Sequence, residues 1–237
     1  ITLSTTRLNQ QSTTITQAAN ISTRLQELVL QGANDTMSAT DRQALSIEMQ
    51  NLSDQLVDLG NTVDQNGQAI FGGFQAKPPV FTKDSKGIVH YSGDNGVPNV
   101  DIGDGVQALA GLDGTTTFMM VKIPGQNNAR SVFDIVHDAI TTLQAGKSTS
   151  GSVSSIKAVV DHFSNEQTVA GGQLNRLSAQ QTVNDNSSLT LKTTLSTLQD
   201  TNLEAAATEF SQKSLALNAS QQTFAKIAGM SLFNYLK

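Results

Sequence analysis

Apolar residues recur along this chain in a helical rhythm, and three stretches hold it. In the first, Ile1, Leu8, Ile15, Ser22 and Val29 follow at intervals of seven, with Ser4, Gln11, Ala18 and Leu25 between them. Alternating steps of three and four put these positions on one stripe of a helix. The pattern predicts a helix over residues 1–33, and Gly32 marks its end. In the second stretch, Leu45, Met49, Leu52, Leu56, Leu59 and Val63 repeat the stripe. Thr40-Asp41-Arg42-Gln43 precedes it with the form of a capping box, a hydroxyl and a carboxamide each able to satisfy a free backbone amide.

The third stretch organises the rest. From Val153 the series Val153, Val160, Gln167, Leu174, Gln181, Ser188, Leu195 interleaves with Ile156, Phe163, Ala170, Leu177, Asn184, Leu191, Leu198. Past Asn202 the apolar set moves by one position, to Leu203, Phe210, Leu217 and Phe224. A single helix from Val153 to Ala228 would run roughly 115 Å at 1.5 Å per residue, more than a domain of this size can cover by itself. Gly171-Gly172 lowers helix propensity by about 1 kcal/mol per glycine and predicts a break or kink.

Between the helical stretches the texture changes. Twelve of the 18 glycines and all four prolines lie from Gly60 to Gly125. Phe71–Phe74, Pro79–Thr82, Ile88–Tyr91 and Thr115–Ile123 read as short strands, with turns at Asp84–Gly87, Gly93–Gly96 and Asp113-Gly114. Ser131 then opens a short helix with Val132, Val136, Ala139, Ile140 and Leu143 inward and Gly146 at its end. The fold class is therefore α+β: an elongated helical bundle or coiled coil built from both chain ends, with a small antiparallel β domain inserted. The divisions are 1–66 and 131–206 for a discontinuous helical rod, 67–130 for a β-rich outer domain, and 207–237 for a C-terminal assembly segment. In this arrangement the two chain ends lie alongside one another and the β part projects from the far end.

Composition narrows the function. Only 15% of the 237 residues are charged, against about 25% in an ordinary globular chain. A net charge of −5 without a basic cluster argues against nucleic acid and anionic membranes as partners. The absence of cysteine excludes disulfides and thiolate metal sites. No run reaches the ~20 apolar residues of a spanning helix, and no signal peptide opens the chain. Ile1 already lies inside a periodic pattern, so the natural N-terminus is expected to lie further upstream.

Sites for chemistry are wanting. Gly146-Lys147-Ser148-Thr149 resembles the end of a phosphate loop, but Thr141 stands where the leading glycine belongs and a helix precedes it. Gly103–Ala108 matches a dinucleotide fingerprint only loosely and reads as a glycine turn. His90, His137 and His162 are scattered; Asp134 with His137 could share a helix face, yet Asp138 and Asp161 supply no consistent third ligand. Neither a nucleophile elbow nor His-Glu-x-x-His is present. The expectation is no enzyme, no cofactor, no metal and no small-molecule substrate.

The stripes of residues 1–33, 45–63 and 153–200 are expected to pack on one another as core. The chain end has no stripe left to pair with. Leu203, Phe210, Leu215, Leu217, Phe224, Ile227, Met230, Leu232, Phe233, Tyr235 and Leu236 therefore read as an assembly interface. Burying each large side chain contributes about 1.5–3 kcal/mol, so leaving them wet favours association. Dilute chains lacking an upstream partner stretch are expected to stay monomeric.

Those residues carry a resemblance. Thr23–Asn34 (TRLQELVLQGAN) with Asp41-Arg42-Gln43, Gly67–Phe74 (GQAIFGGF), Gly172–Leu177 (GQLNRL), and Asp200–Ala207 (DTNLEAAA) through Ser231–Leu236 (SLFNYL) resemble the conserved arms of the bacterial flagellin superfamily. The final stretch is closer to the members at the junction between hook and filament than to flagellin itself. What the resemblance implies is a non-enzymatic, extracellular building block of the flagellum. It would leave the cell through the flagellar type III apparatus without signal-peptide cleavage. Its implied partners are hook-associated protein 1, flagellin, other copies of itself in a ring, and a flagellar export chaperone. The alternatives are flagellin proper and a secreted coiled-coil adhesin or binding module with residues 68–128 as its head.

Overall fold

The structure, a computed structural model, describes residues 1–103, 105–199 and 202–230. They separate into two compact units, residues 1–184 and residues 185–237.

In the first unit, α1 (Thr2–Gly32) follows the predicted seam closely. Leu8, Ile15, Ser22, Val29, Ser4, Gln11, Ala18 and Leu25 are all buried; the ninth seam residue, Ile1, is half-buried. The polar members are small or satisfied: Ser22 Oγ donates back to the Ala18 carbonyl at 2.8 Å. Gly32 serves a purpose other than the expected left-handed cap. A Cβ there would stand 2.6 Å from Leu143 Cδ2 and 2.9 Å from Thr149 Oγ1, so a side chain has no room. The helix ends through Ala33 in a right-handed conformation. Its freed carbonyls are taken from outside: Arg42 donates to Gly32 (3.2 Å) and Asn34 (2.9 Å), and reaches Gly146 (3.1 Å) with Nη1. One guanidinium thus ties the ends of two helices together.

Helix α2 (Ala39–Gly60) starts one residue before the predicted box. Ser38 is its cap, accepting from the Asp41 amide at 3.1 Å while its hydroxyl donates to the Asp41 carboxylate. A serine immediately before the helix outcompetes Thr40 because only Ser38 has the extended backbone a cap requires. Helix α3 (Val132–Gln144) matches expectation: Ser131 Oγ accepts from Phe133 N, and Gly146 terminates it at φ +69°.

The β region departs from the sequence reading. Strands β1 (Phe81–Lys83) and β2 (Val89–Tyr91) form an antiparallel hairpin around the Asp84–Gly87 turn, as expected. A second antiparallel hairpin, β3 (Asn99–Gly103) with β4 (Val106–Leu109), lies where a glycine turn alone was read. Phe71–Phe74 forms turns, and Thr115–Met119 is a π-helical turn rather than a strand. Asp113 overrides the β-branched run: its carboxylate accepts from Thr116 N (2.7 Å) and Thr116 Oγ1 (2.8 Å), which closes a helical turn instead. Only Val121 keeps a ladder contact, with Arg130.

That turn delivers Phe118 to the centre of the core. Its ring lies 5.1 Å from Phe71, 5.2 Å from Phe81, 5.9 Å from Phe133 and 5.7 Å from Phe163. Four different segments meet on one side chain, each ring pair contributing about 0.5–1.5 kcal/mol beyond burial. The β segments therefore share one core with α1, α2, α3 and the start of the next helix. The residue boundaries 66/67 and 130/131 fall inside this unit.

Helix α4 (Val153–Gln199) runs through Gly171-Gly172 without a break. A Cβ at either glycine would meet nothing within 4 Å, so the helix pays only their propensity. Ile156, Phe163, Ala170 and Leu177 are buried, and Asn184 Nδ2 donates to the Ile102 carbonyl at 2.7 Å. Leu177 joins Leu8, Ile102 and Ala108 in a smaller second cluster.

In the second unit the same stripe continues with nothing on it. Leu191, Leu195 and Leu198, expected as core, are exposed. The long helical stretch read from Val153 to Ala228 is divided here instead of at the glycines: a separate helix, α5 (Leu203–Gly229), starts with Asn202 as cap, its side chain accepting from Ala205 N at 3.0 Å. Asn202 is the point where the heptad shifts in sequence, and a cap there restarts the helix in the new register.

Candidate assembly surface

Alanine-rich α5 is a good helix former, with Glu204 in its first turn, Lys226 in its last, and a Glu209–Lys213 ion pair at 2.6 Å. None of its residues is buried. Exposure of its large apolar side chains runs from 59% at Leu217 to 79% at Leu203. Leu203, Phe210, Leu217 and Phe224, seven residues apart, form one row along the helix. Leu215 falls off that row, Ile227 lies on its flank, and Met230 stands at the C-cap. Leu232, Phe233, Tyr235 and Leu236 lie outside the described residues.

Four further candidates escaped the sequence reading as interface: Leu189, Leu191, Leu195 and Leu198 on the distal part of α4, all exposed. Three of them were on the stripe already recognised. The signal that could have found them was numerical: α1 offers seam positions for only the first half of α4.

The motifs weighed for chemistry are occupied structurally. Thr149 Oγ1 donates to the Val29 carbonyl (2.7 Å) and Ser148 Oγ to that of Ala33 (3.2 Å), so the Gly146–Thr149 loop is a strap on the end of α1. Gly103 and Val106 flank the tip of the β3–β4 hairpin. His90 contacts Asp84 at 3.3 Å, Asp138 pairs with Arg130 at 2.7 Å, and His162 Nε2 donates to the Thr117 carbonyl at 3.1 Å. Among the described residues no group of three histidine or carboxylate side chains could hold a metal ion, and no helix is long and apolar enough to cross a membrane.

A core closed within residues 1–184, followed by helices whose apolar rows are exposed, defines a class: helical structural subunits. Residues 1–76 match the family described as the bacterial flagellin N-terminal helical region. Over its whole length the chain is similar to flagellar hook-associated protein 3 of Escherichia coli K12, at 26% identity across 100% of this chain and 79% of that protein. It is likewise similar to flagellar hook-associated protein 3 of Salmonella typhimurium, at 24% identity across 98% of this chain and 78% of the relative. The crystal structure of flagellar hook-associated protein 3 from Legionella pneumophila has the same fold, with a TM-score of 0.75 at 18% identity over 83% of this chain and 93% of that one. The resemblance to the flagellin superfamily is thereby shown, and with it the α+β class of helical chain ends around small antiparallel hairpins.

Proposed function

We propose that the chain is a structural component of the bacterial flagellum at the junction between hook and filament. The observation that carries this reading is a 27-residue helix with no buried residue, on a chain alike over its whole length to hook-associated protein 3. A solvated helix of this length gains most of its stability from packing its apolar face, which here has to come from other molecules. The assembly interface is Leu203, Phe210, Leu217 and Phe224 as the central row, with Leu215, Ile227, Met230, Leu232, Phe233, Tyr235 and Leu236 around or beyond it. Low charge keeps repulsion between packed copies small.

In this role the protein belongs to the external flagellum and works as a building block rather than a catalyst. It contacts hook-associated protein 1 on one side and flagellin on the other, with copies of itself closing a ring. It travels there through the flagellar export route, accompanied by a flagellar export chaperone. The test is deletion of the gene. Loss of filaments with free flagellin in the medium supports the junction role; normal filaments in the deletion strain overturn it.

A further inference from the structure

Two Asn-Gly pairs stand in the chain, Asn66-Gly67 and Asn95-Gly96. In such a pair the glycine amide nitrogen reaches the asparagine side-chain carbonyl with no Cβ of its own residue in the way. The fold treats the two pairs differently. Asn66 and Gly67 are both exposed, and a Cβ on Gly67 would meet nothing within 4 Å. The Gly67 amide donates to one neutral group, the Asp64 carbonyl at 3.0 Å. The Asp64 carboxylate holds the Asn66 and Gln68 amides at 2.8 and 3.0 Å, but not that of Gly67. At the second pair, Gly96 N donates to the Asp94 carboxylate at 2.8 Å, and the same oxygen accepts from Phe74 N at 2.8 Å. The Phe74 ring lies against Gly96, where a Cβ would run into it. Asp94 is itself fixed, its amide donating to the Gly72 carbonyl at 3.2 Å and its carbonyl accepting from the Tyr91 hydroxyl at 2.9 Å.

We infer that Asn66 is a site of spontaneous deamidation, and that the fold protects Asn95 although it stands in the same dipeptide. The Gly67 nitrogen gives up its proton and bonds to Asn66 Cγ. The Cγ–Nδ2 bond breaks, and Nδ2 leaves as ammonia with that proton. Water then opens the five-membered imide, at Cγ to give aspartate or at the backbone carbonyl carbon of residue 66 to give isoaspartate. Water is the sole co-reactant, and nothing is oxidised or reduced. At Gly67 the attack gives up one hydrogen bond to a neutral carbonyl. At Gly96 it gives up a charge-assisted bond, and the deprotonated nitrogen would face a carboxylate while the Phe74 ring blocks the movement of the glycine. The inference does not depend on the junction role, because both pairs lie in the first unit.

The test incubates the whole folded chain at mildly alkaline pH and maps its peptides by mass spectrometry, with protein isoaspartate methyltransferase labelling to tell isoaspartate from aspartate. Asn66 should convert at least about tenfold faster than Asn95, the factor that one charge-assisted hydrogen bond implies. In concentrated urea the two rates should draw together, because the protection belongs to the fold. Phe74→Ala with Asp94→Ala removes both restraints on Gly96 and should bring Asn95 towards the rate of Asn66, with Asn66 itself unchanged as the internal control. Asn66→Gln should abolish the isoaspartate label at that position. Equal rates in the folded chain, slower conversion at Asn66 than at Asn95, the same ratio of rates in urea as in the folded chain, or no acceleration of Asn95 in the double variant overturns the inference.

Discussion

Gln11 and Leu112 hold each other through a two-way hydrogen bond. The carboxamide Nε2 of Gln11 donates to the Leu112 carbonyl at 2.8 Å, and its Oε1 accepts from the Leu112 amide at 2.9 Å. Nε2 also donates to the Ile70 carbonyl at 2.6 Å. A fully buried glutamine in the α1 seam thus completes the backbone of two loops that no sheet would otherwise satisfy. Gln11→Leu is expected to keep the volume and lose all three bonds, leaving the Leu112 amide and carbonyl unpaired while the Ile70 carbonyl keeps its bond from Arg7. Urea denaturation should show a loss of about 3 kcal/mol, well above the effect of an exposed glutamine such as Gln31.

Glycines of opposite character sit in helices of the same unit. Gly32→Ala drives a methyl to within 2.6 Å of Leu143 Cδ2 and should cost about 1–3 kcal/mol through overpacking. Gly171→Ala and Gly172→Ala meet open space and should each stabilise α4 by up to about 1 kcal/mol. Thermal melts of the three variants check the order; a neutral Gly32→Ala would mean that Leu143 yields without strain.

Helices were legible because their stripes are long: eight of the nine α1 seam positions are buried, and α3 was read from Ser131 to Gly146. The β region was harder because its local signals conflict. Thr115–Ile123 has strand composition, but one aspartate at its head closes a helical turn, and sequence alone does not weigh a side chain against six β-formers. β3 and β4 are short and hold only Ile102 and Ala108 well inside, too few for a visible alternation. The bare row of α5 was readable by elimination. The distal leucines of α4 were missed because a heptad looks the same whether its partner is present or missing, and only the shorter length of α1 tells the two apart.

Tyr91 gives the alkaline limb of stability. Its hydroxyl lies 2.7 Å from the Phe71 carbonyl and 2.9 Å from that of Asp94, and its ring packs 4.7 Å from Phe81. Burial, reinforced by Asp113, pushes its pKa up to about 12 from the ordinary 10. The folded state holds the proton more tightly, so this contribution is complete below about pH 10 and is lost as pH rises through 12. Denaturation midpoints measured from about pH 9 to about pH 12 should fall for the natural protein. Tyr91→Phe should begin lower, having lost the hydrogen bond, and fall less steeply over that window. Parallel curves would assign the alkaline loss to other groups.

The row on α5 separates folding from assembly. Phe210 and Phe224 are each 74% exposed, so changing them to serine removes no contact inside the first unit. Phe210→Ser with Phe224→Ser should leave the urea midpoint of the chain within about 0.5 kcal/mol of the natural protein, as surface substitutions do. In a bacterium lacking the gene, the same double variant should fail to restore filaments although it is made and exported. Leu191→Ser with Leu198→Ser tests the distal α4 stripe in the same way, and weaker rescue there would extend the interface beyond α5. Restored motility by the α5 double variant, with filaments of normal number, would remove this row from the interface. Serine is the useful replacement because it deletes the apolar surface without introducing a charge, so a failure to assemble reports lost burial rather than new repulsion.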